Sequence, residues 1–192
     1  LGTGWSGAAL TSPVLLLPVK LLSVFLLGLV VATGFFGDSS PSLNFNPTFV
    51  WIIWWVGMSI VVALLGNIWA LVNPWKIIFG WAQGLYRLAR PGQDLSLNLE
   101  YPPGWGIWPA LALFVIFTWI QDAYPKTDVP NQVAAMTVIY SVITFGGMAM
   151  FGRNQWLRSG EAFTVVFGLL SRFSATEVRV IDQEPCLECT TE

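Results

Sequence analysis

Four long apolar stretches dominate this sequence, because a chain that carries them has few ways to hide them. A helix needs roughly 20 apolar residues to cross about 30 Å of hydrocarbon, where its backbone finds no water to bond. Residues 14–36, 49–72, 107–124 and 133–151 meet that requirement, the third being short enough to cross with little tilt. The sequence predicts an all-α integral membrane protein with four transmembrane helices. Burying the four in a soluble core would require polar outer faces, which they lack. Only 10% of the residues are charged, against about 25% in a soluble domain.

The stretches end where chain stereochemistry predicts. Asn73-Pro74 follows the second, and the residue before a proline is driven out of the helical region. Lys20 lies in the opening turns of the first, where a lysine can snorkel to headgroups. Two further segments are amphipathic. Over 75–90, Lys76, Gln83, Arg87 and Arg90 recur at helical spacing opposite Ile78, Trp81, Leu85 and Leu88. Over 154–173, Asn154, Arg158, Glu161 and Arg172 stand opposite Trp156, Phe163 and Phe167. Both read as interfacial helices, or as helices packed on neighbouring protein. Residues 1–173 then form one transmembrane helical domain and 174–192 a polar cytoplasmic tail.

Orientation follows from the basic residues, which collect on the cytoplasmic side of short loops. With both termini of this chain inside, eight of the nine Lys and Arg fall there and only Lys126 falls outside. Trp51, Trp54, Trp55 and Trp119 then mark the outer interface, and Trp69, Trp75, Trp81, Trp105, Trp108 and Trp156 the inner one. The expected location is a prokaryotic inner membrane.

Several functions lose their chemistry here. There is no histidine, hence no imidazole base and no His-ligated haem or chlorophyll. The basic residues form no cluster, so nucleic acid is not an expected partner. No ionisable group falls near the centre of any span, whereas ion-coupled carriers usually place one there. Nothing points to an enzyme. Cys186 and Cys189 have the spacing of half a zinc or iron–sulfur site, and half a site leaves coordination incomplete. An ordinary reduced pair and a redox dithiol are the other readings.

Small residues do suggest close helix packing. Ser59, Ala63, Gly66 and Ala70 recur near four-residue steps with Asn67 beside them, and Gly146-Gly147 lies in the fourth span. Such faces serve either the chain's own helices or a partner helix.

The passages Gly66-Asn67-Ile68-Trp69-Ala70-Leu71-Val72-Asn73-Pro74-Trp75 and Phe151-Gly152-Arg153-Asn154-Gln155-Trp156-Leu157-Arg158-Ser159-Gly160-Glu161-Ala162-Phe163 resemble segments of larger, uncharacterised prokaryotic multi-pass membrane proteins. That resemblance implies further helices on both sides, with this chain a fragment, and it brings no activity. The expected function is a non-catalytic subunit that packs against other integral membrane proteins, lipids, or an apolar cofactor such as a quinone or carotenoid, in a larger, energy-converting or photosynthetic assembly. The alternative is part of a small-solute transporter or channel.

Overall fold

Apolar runs become helices and glycines decide where they stop. The computed structural model describes residues 13–174. The first helix, α1, spans Pro13–Phe36, and α2 spans Phe45–Leu65. Asn44 ties the link between them: its side chain caps the start of α2 at Asn46 N and donates to the carbonyls of Thr33 and Asp38. The middle of α2, Phe49–Gly57, is wound as a π-helix, a rare form that recurs at functional sites.

Helix α5 spans Trp108–Ala123 and α6 spans Pro130–Phe151, each with a proline in its first turn, where no amide partner is lost. Gly34 of α1 sets how α1 meets α2 and α6. A Cβ there would lie 2.5 Å from Ala134 Cβ, 2.5 Å from Asn46 Nδ2 and 2.8 Å from Pro130 O. The end of α1 therefore meets the beginnings of α2 and α6, so α1 runs antiparallel to both.

Between α2 and α5 the chain turns back on itself. Gly66 adopts a φ of 94°, which a side chain resists, and ends α2. A short α3, Trp69–Val72, leads to Asn73, and α4, Pro74–Ala89, leaves from it. The Ser23 hydroxyl bonds the Val72 carbonyl, and the Trp75 indole donates to Ser141 at 2.8 Å. Ser23 and Ser141 stand near the midpoints of α1 and α6, so the α3–α4 junction lies level with the middle of the bundle. From there α4 runs towards the far end of α6, where Gly80 faces Arg153. The following link is pinned by the Leu97 and Leu99 amides on the carbonyls of Ala149 and Met150. Within that link burial works to raise the Asp94 pKa, but hydrogen bonds from Gln83, Ser96 and Asn98 and the charge of Arg87 outweigh it and hold the pKa below 3.8.

The same order of elements follows α6. Gly152, with a φ of 87°, ends that helix. A short α7, Arg153–Ser159, turns back, Glu161 caps α8, Ala162–Leu170, and a 3₁₀ turn Ser171–Phe173 completes the return. The Ser174 hydroxyl then reaches the Leu64 carbonyl at the end of α2. The chain thus carries twice the sequence long helix, positive-φ glycine, short helix with a buried tryptophan, polar cap, outgoing helix. Trp69 and Trp156 correspond, and each buries an indole N–H without a partner.

Three helices are long and apolar enough to cross a membrane: Leu16–Phe36 within α1, Phe45–Leu65 and Pro130–Phe151. Helix α5 is shorter, 16 residues. Two expectations need correction. The stretch 49–72 is not one helix, because Gly66 breaks it; nor is 154–173, because the chain leaves helical geometry at Glu161, whose ψ is 116°. Segment 75–90 is a single helix, but its first half, with Trp75, Ile77 and Phe79, is buried against protein. Burial is inverted relative to a soluble core, which is compatible with a transmembrane helical protein. Phe25, Ile52, Ile139 and Val142 are each at least 60% exposed, while Asn46, Asn73 and Glu161 are at most 1% exposed.

Candidate functional site

The two turned-back segments meet at their caps. Glu161 sits in extended backbone before α8, so its carboxylate accepts from the amides of Phe163 at 3.0 Å and Thr164 at 2.7 Å. The Tyr140 and Thr164 hydroxyls also donate to it, and Asn73 Nδ2 approaches at 3.4 Å. Asn73 acts in both directions: its oxygen caps α4 at Lys76 N, and its nitrogen reaches Glu161 and, at 3.2 Å, the Thr164 hydroxyl. Glu161 is fully buried and every group around it donates. Among the described residues no Lys or Arg forms an ion pair with it. Helix-terminal amides and hydroxyls satisfy its oxygens instead.

This acid lies where none was expected. Helical spacing placed Glu161 on the polar face of an interfacial helix, but the chain turns inward after Gly152 and brings it level with Tyr140, midway along α6. The four long stretches themselves hold no central acid; the turned-back segment after Gly152 brings one to the level of Tyr140.

Beside this junction lies an apolar groove of about 460 Å³, walled by α1, α2, α5 and α6 and closed at its base by Trp75, Tyr140 and Phe163. It stays open because α5 joins the body through α8 and through ring contacts such as Trp51–Phe117 at 5.5 Å and Phe117–Phe163 at 5.0 Å. The three hydroxyls on its wall are already bonded: Ser23 to Val72 O, Thr137 to Val133 O and Tyr140 to Glu161. The indoles of Trp51 and Trp75 are spent on Thr127 O and Ser141. Trp69, whose buried indole N–H has no partner, also borders the groove; the rest of the lining is hydrocarbon and ring faces. At the rim Leu22, Ile53, Ile116 and Ile139 are each more than half exposed, so the groove opens sideways onto the apolar surface.

A second pocket of about 220 Å³ lies against the other side of the junction. Ala70, Asn73, Lys76, Asn154, Leu157, Arg158 and Thr164 line it. Asn73 and Thr164 face this pocket while Tyr140 faces the groove, so the Glu161 cluster is the partition between the two.

Comparison with protein-family models, curated proteins and solved structures finds no match. The chemistry must be read from this chain alone. Among the described residues no group of three His, Cys, Asp or Glu is placed to hold a metal. Cys186 and Cys189 lie outside the described residues.

The small residues separate into different environments. Ser59 bonds the Trp55 carbonyl within its own helix, and Ala63 is half-buried. Gly66 is the helix break, Asn67 accepts from Ala70 N in the turn beyond it, and Ala70 lines the polar pocket. They do not form one continuous helix face. Gly147 lies under the Trp156 ring, whereas Gly146, the next residue, faces open space.

Proposed function

We propose that this chain is a non-catalytic integral membrane subunit whose lateral groove holds the hydrocarbon chain of a lipid or isoprenoid molecule, the quinone and carotenoid classes included. The groove itself carries the reading. Its wall offers an occupant dispersion contacts and no unspent hydroxyl, and its open side is a lipid-facing surface. In this reading α5 is the fourth span, crossing upright, since 16 residues extend about 24 Å as a helix. The segments α3–α4 and α7–α8 re-enter from the cytoplasmic side, where the basic residues collect. The outer faces of the spans meet other integral membrane proteins.

Gentle purification followed by mass spectrometry of the organic extract tests the groove. Met136→Trp, which points an indole into the wall from α6, should lower the co-purifying chain about tenfold, the equivalent of roughly two lost methylene contacts. Undiminished ligand in a folded Met136→Trp protein would place the ligand elsewhere. Orientation has its own check. A membrane-impermeant thiol reagent applied to intact cells should leave Cys186 and Cys189 unlabelled, and labelling before lysis would invert the topology.

A transporter or channel is the second reading, and Glu161 favours it. Carriers often build their sites from broken helices whose ends meet at mid-membrane around an acid. Vesicles that hold the protein and a pH-sensitive dye discriminate between the two. Transport expects a proton flux that Glu161→Gln abolishes, and the subunit reading expects none.

A further inference from the structure

We infer that the groove takes one acyl chain of a membrane lipid from the leaflet on the side of the α1–α2 link, the methyl end of the chain resting on Trp75, Tyr140 and Phe163. This occupant presupposes that the groove is a hydrocarbon site, as proposed above, and adds its class, depth and direction. Gly34 supplies the scale, since its closeness to Pro130 O sets the end of α1 level with the start of α6. On α6 the lining runs from Val133 to Ile143, and on the antiparallel α1 from Val30 back to Val19. At 1.5 Å per residue these runs cover about 15 to 17 Å. That is half of a hydrocarbon layer about 30 Å thick, the half that the chains of a single leaflet fill.

The turned-back segments occupy the other half. Beyond Trp75 the first half of α4 buries Ile77 and Phe79, and α7 and α8 bury Trp156 and Phe167. The groove is the corresponding space on the near side of that packing, and its floor is made of ring faces. Trp75 meets Tyr140 at 5.1 Å, and Tyr140 meets Phe163 at 5.1 Å. Trp75 and Phe163 are 4% and 3% exposed, so a chain reaches them only from inside the groove. A rigid polyene long enough to span both leaflets would strike this floor. A helix about 10 Å across fills on the order of 1,000 Å³ over the same length, against about 460 Å³ in the groove. A quinone ring would need donors for its carbonyls; the hydroxyls of the wall are already bonded, and the Trp69 indole N–H is buried. A single flexible chain fits the length, the width and the chemistry of the wall. The exposed rim at Leu22, Ile53, Ile116 and Ile139 lets it enter sideways while its ester and head group stay outside, near the level of Val50 and Val133.

The full chain is reconstituted in phosphatidylcholine vesicles that carry a trace of phosphatidylcholine with a diazirine either at the methyl end of one acyl chain or next to its ester. After illumination the labelled residues are mapped by peptide mass spectrometry. The methyl-end probe should label Trp75, Tyr140 or Phe163, and the ester-end probe Val50, Ile120 or Val133. Met136→Trp, and Ile116→Trp at an exposed rim position, should each lower floor labelling at least tenfold and leave the labelling of the outward-facing Phe25 and Ile52 unchanged. Floor labelling by the ester-end probe, or floor labelling that both tryptophan variants leave intact, overturns the acyl-chain site. Displacement of the floor label by an isoprenoid quinone, where unlabelled phosphatidylcholine at the same concentration fails, overturns it as well but keeps the groove as a hydrocarbon site. Labelling confined to outward-facing positions also overturns it; the hydrocarbon reading falls too only where the folded Met136→Trp protein retains its co-purifying chain.

Discussion

Glu161→Leu should destabilise the protein by about 3–5 kcal/mol, since several buried donors lose a shared acceptor at about 1–3 kcal/mol each and relaxation recovers part of the sum. The corresponding fall in melting temperature in detergent is on the order of 10 °C. Removing the carboxylate takes the acceptor from the Phe163 and Thr164 amides and the Tyr140 and Thr164 hydroxyls, and leaves the Asn73 amide group only its contact with Thr164. Glu161→Gln keeps one acceptor oxygen but turns an NH₂ towards groups that already donate, so its cost should fall between leucine and wild type. Coupling gives the sharper test. Tyr140→Phe alone removes a donor to the carboxylate and should cost about 1–2 kcal/mol, but in the Glu161→Leu background it removes a hydroxyl that no longer has its acceptor and should cost almost nothing. Additive losses would mean that Tyr140 and Glu161 do not act together, and a wild-type melting temperature for Glu161→Leu would remove the cluster from the account of stability.

The cluster joins what sequence keeps far apart. Asn73 and Glu161 follow different long helices, yet each caps a helix that begins level with the bundle midpoint, and each accepts from the amide three residues on, Lys76 N and Thr164 N. Seating both caps in one hydrogen-bonded group fixes the two turned-back segments against one another. The aromatic core packs around that fixed point, with Trp54 against Phe163 at 4.6 Å, Trp69 against Phe167 at 5.3 Å and Trp75 against Tyr140 at 5.1 Å. One arrangement therefore sets the base of the groove and the inner wall of the polar pocket.

Hydropathy made the long helices legible, because a membrane-facing segment must be apolar along its whole length. The expected 14–36, 107–124 and 133–151 lie close to Pro13–Phe36, Trp108–Ala123 and Pro130–Phe151. It failed at Gly66 since glycine is ordinary within membrane helices and the residues on both sides are apolar; hydropathy does not register a φ of 94°. Asn73-Pro74 was legible as a boundary, and the proline does occupy the first turn of α4. Glu161 was not, because helical periodicity continued through 154–173 and gave the acid a polar face. The signal that could have found it is local: Gly160 interrupts the helical pattern just before a lone acid that opens the apolar run Ala162–Leu170. The recurrence of glycine and tryptophan at Gly66 and Trp69, and again at Gly152 and Trp156, would have paired it with Asn73.

Gly147→Ala and Gly146→Ala should differ far more than adjacent positions in one helix usually do. A Cβ on Gly147 would fall 2.1 Å from Trp156 Cε2 and 2.2 Å from Cδ2, well inside contact distance. The indole also packs on the bare backbone of Gly160, where a Cβ would fall 2.4 Å from Cε3, and the Phe151 ring lies nearly parallel to it at 6.0 Å. The bare backbones of Gly147 and Gly160 are thus what allow α7 to lie back along α6. Gly147→Ala should cost about 3 kcal/mol, the upper part of the range for overpacking, and loosen the α7–α8 segment. Gly146 has nothing within 4 Å of its Cβ position. Its replacement should be neutral or should gain up to about 1 kcal/mol of helix propensity. Melting temperatures of the two variants, with tryptophan fluorescence to follow Trp156, decide the matter. Adding Trp156→Leu to Gly147→Ala should recover part of the loss, since the smaller side chain leaves room for the methyl group. A tolerated Gly147→Ala beside a damaging Gly146→Ala would put the indole on the wrong face of α6, and with it the inward turn that carries Glu161 to Asn73.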